Sequence, residues 1–293
     1  MAALILREFR PDPDLLRIAR RPPAEVEKRA PNNLKLYALG ASICSIRARM
    51  TIEEKQLAYT EHTLNMAVSE NLEPWYLAIN PRGVAPAIVE DGRALFDSFT
   101  IMLYVNNVFE GPALAPADEE ERRDMIDLMS RADLFPIRDF AYRHELDREA
   151  PDVWRVAMYE RVISYKEKYP ELSDIYDRKL EDYASMRDAA LDLDAMQRLE
   201  QTLESVMDEL DHKLAGRRWL AGDSFSLADI SWLPILVRLQ LDIGREIFGD
   251  GLRPNLERLV NECMNRSTFA SAIEDHKNDI SDHISMMGGQ AVR

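Results

Sequence analysis

Residues 34–49, LKLYALGASICSIRAR, decide the fold because a strand pattern changes into a helix pattern inside them. LKLYAL alternates along the chain as a β-strand does, whereas CSIRARMTIEEK, beginning at Cys44, reads as a helix. The Gly-Ala-Ser sequence between them breaks the strand, so we expect Ser42 and Ser45 at the amino-terminal end of that helix. Hydroxyls in this position either cap the helix or contact a reactive sulfur.

The pattern continues downstream as a small α/β unit. LAYTEHTLNM reads as a second strand and SENLEPWYLAIN as a short helix. APAIVE and RALF flank Asp91-Gly92, a dipeptide typical of a tight hairpin. DSFTIMLYVNNVF then starts a helix at Asp97 and Ser98. Residues 34–110 are therefore predicted to form one α/β domain.

The remainder of the chain divides into an extension and a helical domain. Residues 1–33 are rich in Pro, Arg and acids and read as an N-terminal extension. After a Pro- and acid-rich linker, residues 119–280 are predicted to be all-helical, with a long aromatic-rich insertion near residues 136–190. Ser226 and Asp229 have the spacing of a capping box, which predicts the start of a buried helix.

Composition and charge exclude several classes of function. The net charge of −15 over 293 residues argues against a nucleic-acid partner, which requires clustered Lys and Arg. No run of eighteen apolar residues and no targeting segment is found, so we expect no membrane association. Two cysteines, Cys44 and Cys263, form no disulfide framework and favour a cytoplasmic location. The five histidines are scattered, and we expect no metal site.

The chain resembles a cytosolic glutathione transferase in the order of four pieces. These are the strand with its serine-bearing turn, NPRGVAPAIVEDG, the DS helix start and LAGDSFSLAD. The resemblance covers about residues 34–276 and is strongest to the bacterial β-etherases, which cleave aryl ethers of lignin-derived aromatics with glutathione. It implies an N-terminal thioredoxin-like domain followed by an all-α domain. It also implies a dimer, homomeric or formed with a related transferase, and glutathione as co-substrate.

The resemblance assigns roles to particular residues. Ser42 or Ser45 would stabilise the glutathione thiolate, and the residues alone leave the choice between them open. Ala85 and Pro86, joined by a cis bond, would present a backbone edge to the tripeptide, with Ala85 where the family usually has Val. Arg47 or Arg49 could hold its anionic groups, and the alternative is that both are ordinary surface charges. Asp97 would bind its ammonium group and Ser98 its carboxylate, with Asp where the family more often has Glu or Gln.

A small aromatic substrate would lie against the aromatic residues of the insertion. Phe135, Phe140, Tyr142 and Trp154 are the candidates to line its pocket, although core and helix-surface packing is the simpler explanation of such an aromatic stretch. Cys44 is expected to be a small buried residue, and the alternative is a catalytic cysteine that forms mixed disulfides. Two other functions stay open: a transferase for detoxification or dehalogenation, and a weakly active subunit serving mainly as a dimer partner.

Overall fold

The computed structural model describes residues 26–140, 153–242, 246–249 and 251–276, together with residues 14, 15, 17 and 21. The chain divides into two compact units. The first contains residues 1–111, 151–185 and 274–293, and the second contains residues 112–150 and 186–273. Residues 151–185, which chain order placed in the helical domain, thus group with the first unit.

A four-stranded sheet forms the centre of the first unit. Its strands are β1 (Lys35–Ala38), β2 (Thr60–Thr63), β3 (Ala87–Glu90) and β4 (Arg93–Phe96), in the order β2-β1-β3-β4. β1 runs parallel to β2 and antiparallel to β3, and β3 pairs antiparallel with β4. Asp91 and Gly92 both have positive φ (50° and 79°), as a two-residue hairpin turn requires.

Helices cover both faces of this sheet because its side chains alternate between them. On one face Leu36, Ile88 and Leu95 pack against helices α1 (Ile43–Glu54) and α3 (Ser98–Val108). On the other face strand residues pack against Tyr76 and Ile79 of helix α2 (Pro74–Ile79). The predicted thioredoxin-like architecture of this half is therefore confirmed.

Described residues of the N-terminal extension are part of the first unit's core. Leu15 is 3% exposed and belongs to the cluster between the sheet and helices α1 and α3. Arg29 forms a bidentate ion pair with Glu90 (2.5 and 2.7 Å) and a backbone bridge to Phe109. Glu90 is 5% exposed whereas the Arg29 side chain is 46% exposed, so this pair ties the extension to β3 with its carboxylate buried and its guanidinium partly in solvent.

Two helices of the insertion also belong to the first unit: α5 (Val153–Lys168) and most of α6 (Ser173–Leu191). Val162 of α5, Tyr176 of α6 and Leu172 of the 3₁₀ turn between them (Pro170–Leu172) pack with Leu72 and Leu77, which precede the sheet's third strand. This grouping depends on contacts between residues about 90 to 100 positions apart, which local sequence patterns do not specify.

The second unit is helical. It contains α4 (Glu119–Leu134), α7 (Leu193–Leu214), α8 (Leu227–Val237), α9 (Pro254–Met264) and α10 (Ser267–Ala272). Every residue of α8 is buried, and Trp232 donates from its indole nitrogen to the carbonyl of Leu128 in α4 (3.0 Å). The all-helical prediction is confirmed for this part. None of the described helices is long and apolar enough to cross a membrane.

Candidate active site

Strand pairing brings three predicted site segments to one end of the sheet, where β1 and β4 finish and β3 begins. Tyr37, near the end of β1, pairs with Ala87 at the start of β3, and Ala87 pairs with Phe96 at the end of β4. The turn before α1 follows β1, the Ala85–Pro86 bond precedes β3, and Asp97 follows β4. The register therefore gathers residues that lie more than fifty positions apart in sequence.

Ser42 stands at the start of helix α1 without capping it through its side chain. Its backbone is extended (φ −65°, ψ 128°) and its carbonyl accepts from the amide of Ile46 at 2.8 Å. The hydroxyl makes no capping hydrogen bond, and the residue is half-buried. This hydroxyl therefore stands beside the amide-rich, positive end of α1, where it can donate to an anion.

Ser45 lies in a different environment one turn further along α1. It is fully buried, and its Oγ accepts a hydrogen bond from the Leu39 amide at 2.9 Å. This bond ties the turn after β1 to the first turn of the helix. The two serines that the sequence left as alternatives are thus distinguishable by burial and bonding.

Three other residues of α1 were candidates in the sequence. Cys44 is a free, half-buried cysteine, whereas Cys263 is buried in the second unit. Arg49 is 1% exposed, bonds both carboxylate oxygens of Glu61 (2.6 and 2.9 Å) and donates to the Gly40 carbonyl. Arg47 is 4% exposed. Both arginines are buried, so the alternative that they are ordinary surface charges is wrong, and a role in holding glutathione stays a prediction.

The peptide bond between Ala85 and Pro86 is cis, as expected from its sequence context. The carbonyl of the preceding Val84 accepts two hydrogen bonds, from the hydroxyl of Tyr76 (2.8 Å) and the side-chain amide of Asn80 (2.6 Å). The loop before β3 is therefore held by side chains of α2 and its C-terminal end.

Asp97 combines a helix cap with an unusual backbone conformation. Its φ of 81° and ψ of 117° lie in a region that non-glycine residues rarely adopt and that is enriched at functional sites. Its Oδ2 accepts from the amide (3.0 Å) and hydroxyl (2.7 Å) of Thr100. Within the described residues, Oδ1 accepts no hydrogen bond. Thr100 was not singled out from the sequence, although its place three residues after an acid is a capping signal.

Ser98, the first residue of α3, is 3% exposed. Like other first-turn residues, Ser98 and Phe99 have amides with no carbonyl four positions earlier inside the helix. Together with the remaining oxygen of Asp97, they place an acceptor and donors side by side. Such a pairing suits a ligand that carries both an ammonium and a carboxylate group.

The structure describes the side chains of two of the four predicted aromatic pocket residues. Phe135 and Phe140 stack on one another (centroids 6.2 Å apart), and Phe135 also meets Trp232 edge-on at 5.7 Å. Both phenylalanines are at most 8% exposed, so they form an aromatic core of the second unit. Tyr142 and the side chain of Trp154 lie outside the described residues. Within the described ranges, no three acidic, histidine or cysteine side chains are grouped as metal ligands.

Comparisons with known proteins match both halves of the chain. The model for the N-terminal domain of glutathione S-transferase matches residues 41–108, and that for its C-terminal domain matches residues 194–261. A tetrachloro-p-hydroquinone reductive dehalogenase from Sphingobium chlorophenolicum is 30% identical to this chain. That similarity covers 82% of this chain and 95% of the dehalogenase.

Protein LigF from Sphingobium sp. is 35% identical over 31% of this chain and 37% of its own length. The crystal structure of the beta-etherase LigF covers 83% of this chain and 99% of LigF, with a TM-score of 0.65 and 22% identity. A glutathione transferase homologue from Sulfitobacter, solved with bound glutathione, covers 83% of this chain and 97% of its own, with a TM-score of 0.57 and 21% identity. The two structural likenesses show a shared fold.

Proposed function

This chain belongs to the glutathione S-transferase family, and we propose that it transfers the sulfur of glutathione to a small aromatic substrate, with Ser42 stabilising the reacting thiolate. The observation that carries this proposal is the Ser42 hydroxyl, half-buried at the start of α1 and not used as a cap. We propose that Ser45 supports the site indirectly, because it is fully buried and its oxygen holds the Leu39 amide, whereas Ser42 is the more exposed of the two hydroxyls. The Ser45 hydroxyl keeps its proton available for donation.

The chemical need is to keep a thiol ionised near neutral pH. A free thiol has a pKa near 8.5, so only a few per cent of it is thiolate at pH 7. Lowering that pKa by two units requires about 2.7 kcal/mol of preferential stabilisation of the anion. One hydroxyl donor together with the positive end of α1 can supply this amount.

The rest of glutathione would extend along the edge of the sheet. We propose that the backbone of Ala85 pairs with the cysteinyl unit. The Oδ1 of Asp97 would accept from the γ-glutamyl ammonium group, while the Ser98 hydroxyl and the first amides of α3 would donate to the adjacent carboxylate. Arg47, which is 4% exposed and thus as buried as Ser98 (3%), stays a candidate to hold an anionic group of glutathione.

The first candidate reaction is cleavage of a β-aryl ether. The thiolate attacks the carbon that carries the aryl ether oxygen, forms a carbon–sulfur bond and expels a phenolate, which takes up a proton. An adjacent ketone activates that carbon, and binding of the aromatic ring orients it. The fold shared with LigF and the 35% identity over the N-terminal third support this candidate.

The second candidate is reductive dehalogenation, which the 30% identity along nearly the whole dehalogenase supports equally. In that reaction an aromatic halide and two thiols give the dehalogenated ring, a disulfide and hydrogen halide. Cys44 favours this candidate, because a half-buried free thiol lies two residues after Ser42. It could remove the sulfur of a glutathione conjugate from the ring, leaving a mixed disulfide that a second glutathione reduces.

The two candidates are separated by their products. Purified protein is incubated with glutathione and either single enantiomers of an α-keto β-aryl ether or a chlorinated hydroquinone, and phenol and chloride release are measured. Ether cleavage predicts phenol release that survives Cys44→Ala. Dehalogenation predicts chloride release that persists in Cys44→Ala, because the halide leaves when the glutathione conjugate forms. The variant should then accumulate that conjugate instead of the dehalogenated ring, as chromatography of the aromatic products would show. Binding of glutathione by calorimetry with neither product would contradict both reactions, and no binding would contradict the transferase proposal and favour a dimer-partner role.

A further inference from the structure

The two insertion helices make hydrogen bonds to backbone carbonyls of one segment of the first unit. The Tyr165 hydroxyl of α5 lies 2.9 Å from the Val68 carbonyl oxygen and 2.6 Å from the Glu73 carboxylate, and these two acceptors share its one proton. Tyr176 of α6 donates to the Leu72 carbonyl at 3.0 Å. Residues 66–84, which we name the support segment, connect β2 to the Ala85–Pro86 bond.

Apolar packing reinforces these polar contacts. Leu72 and Leu77 of the support segment pack with Val162, Tyr165 and Tyr176, and all five are at most 6% exposed. The rings of Tyr165 and Tyr176 stack with centroids 6.1 Å apart. These side chains are removed from water on folding, so the contact is a stable part of the first unit.

From this contact, hydrogen bonds continue to the end of the support segment. Asn71, adjacent to the Leu72 carbonyl that Tyr176 binds, donates from its side-chain amide to the Gly83 carbonyl at 2.8 Å. Lys179 of α6 reaches the Arg82 carbonyl at 3.4 Å and is 7% exposed. A Cβ on Gly83 would lie 2.9 Å from Leu72, so the two parts of the segment are in close contact.

We propose that Tyr176 and Lys179 are positioning residues for glutathione: they fix the support segment and through it the backbone edge at Ala85. This inference rests on the proposed function, because that edge is where the cysteinyl unit would pair. Recognition of glutathione by the backbone needs fixed amide and carbonyl directions at Ala85. If the support segment is displaced by about 1 Å, those groups no longer face their partners on glutathione and the affinity for glutathione falls. The insertion thus sets glutathione affinity without touching glutathione.

The test replaces single polar groups. Tyr176→Phe removes one hydroxyl and keeps the stacked ring, and Lys179→Met removes the ammonium group and keeps most of the stem. Losing one such hydrogen bond corresponds to a rise of roughly threefold to tenfold in the dissociation constant for glutathione. We expect that rise by calorimetry, with kcat at saturating glutathione within about twofold of the unmodified enzyme.

Tyr159→Phe is the matched control, because it removes a tyrosine hydroxyl from α5 that makes no hydrogen bond within the described part of the chain. It should leave glutathione affinity unchanged. Amide hydrogen exchange of the ligand-free protein gives a readout independent of glutathione. Exchange over residues 80–85 should rise in Tyr176→Phe and Lys179→Met, while exchange over α8 in the second unit stays the same.

The inference is overturned if the unmodified protein binds glutathione and both variants bind it equally well with unchanged exchange over residues 80–85. An exchange rise spread over both units would also overturn it, since that result indicates general destabilisation. If the unmodified protein does not bind glutathione, the proposed function fails instead, while the exchange comparison still tests whether the insertion holds the support segment.

Discussion

Two serine hydroxyls three residues apart have different surroundings at the start of α1. Ser45 is buried against the Leu39 amide, and Ser42 is half-buried with no capping bond. The sequence could predict the pair, because Gly-Ala-Ser breaks the strand and the helix pattern begins at once. The sequence could not distinguish Ser42 from Ser45, because the folded turn decides which hydroxyl the Leu39 N–H bonds.

Asp97→Asn tests the proposed ammonium contact. The asparagine oxygen can still cap α3 at Thr100, so the free energy of unfolding should change by less than about 1 kcal/mol. The negative charge is lost, so KM for glutathione should rise roughly tenfold or more, as expected for a hydrogen bond to a charged group. Steady-state kinetics and urea unfolding measure the two effects.

Asp118→Asn is the matched control, because Asp118 caps α4 in the second unit by accepting from the amides of Glu120 and Glu121. It carries the same chemical change away from the site and should leave KM for glutathione unaltered. Equal KM values for Asp97→Asn and the unmodified enzyme would exclude Asp97 as the ammonium partner.

Lys55 gives the first unit a predictable pH dependence. Burial, with a smaller contribution from the like charge of Lys28, lowers the pKa of Lys55 to about 8. Because its unfolded-state pKa is near 10.4, the unfolded chain binds more protons between pH 8 and 10.4. The contribution of Lys55 to the free energy of unfolding therefore rises with pH across that window.

Lys55→Met removes this contribution. The variant's stability relative to the unmodified protein should be highest below pH 8 and decline by about 1–3 kcal/mol as the pH approaches 10.4. Urea unfolding of both proteins at several pH values measures the difference. Parallel stability curves would show that Lys55 does not titrate abnormally in the folded chain.

Other site residues show the same limit of sequence reasoning. The cap at Asp97 follows from local chemistry, whereas the cis bond before Pro86 was expected from the family resemblance and its sequence context, and both are present. The burial of Arg47 and Arg49 follows from tertiary packing, with Arg49 paired to Glu61 on the neighbouring strand. An arginine in an exposed-looking sequence thus gave no local sign that it would be buried.

At the scale of elements, the capping box of α8 was predictable and its energy can be tested. The Asp229 carboxylate accepts from the amides of Leu220 (2.9 Å) and Ser226 (2.8 Å) in a fully buried site. Asp229→Ala would leave both donors without a partner and should lower the free energy of unfolding by about 2–4 kcal/mol. Ser226→Ala should lower it by about 1 kcal/mol. Urea unfolding measures both.

Ser267→Ala is the control for these substitutions. Ser267 also opens a short helix, but it is exposed and the helix has no side-chain cap. Its replacement should change the free energy of unfolding by no more than about 0.5 kcal/mol. If Asp229→Ala were equally mild, the buried carboxylate would not be what holds the start of α8.

The strands and the hairpin show which features of the sheet a local sequence pattern can predict. The turn at Asp91 and Gly92 forms as predicted, because positive φ at both positions suits these residues. The second strand is shorter than the pattern suggested: β2 ends at Thr63, and two 3₁₀ turns follow. Those turns lie in the support segment, whose conformation is fixed by insertion residues far away in sequence.

At the scale of the whole molecule, the N-terminal extension is predicted to stabilise the first unit. A chain that begins at residue 34 lacks Leu15 from the core and Arg29 from its pair with the buried Glu90. Its free energy of unfolding should fall by about 2–4 kcal/mol, with solvent exposure of Arg29 keeping the ionic part small. Thermal and urea unfolding of the two chains measure this loss.

Glu90→Gln provides the control, because it removes the charge that truncation would leave unpaired. The loss on truncation should be smaller in the Glu90→Gln background than in the unmodified chain. Equal stability of the full and truncated chains would mean that the extension contributes nothing to the first unit.

The order of elements was readable from the sequence, including an α/β unit before a helical one. The grouping of residues 151–185 with the first unit was not, because it depends on contacts such as that between Tyr176 and Leu72. The dimer and the cytoplasmic location stay predictions. The substrate class also stays a prediction, because a structural neighbour bears the name of an etherase and a sequence relative bears that of a dehalogenase.

The most direct measurement of the role of Ser42 is the pKa of the glutathione thiol in its complex with the protein, read from thiolate absorbance. A Cys44→Ala background removes the nearby protein thiol from the titration. Ser42→Ala should raise the bound thiol's pKa by about one to two units, and Ser45→Ala should leave it unchanged while lowering stability by about 1–3 kcal/mol. An unchanged thiol pKa in Ser42→Ala with glutathione still bound would contradict the proposed role of Ser42.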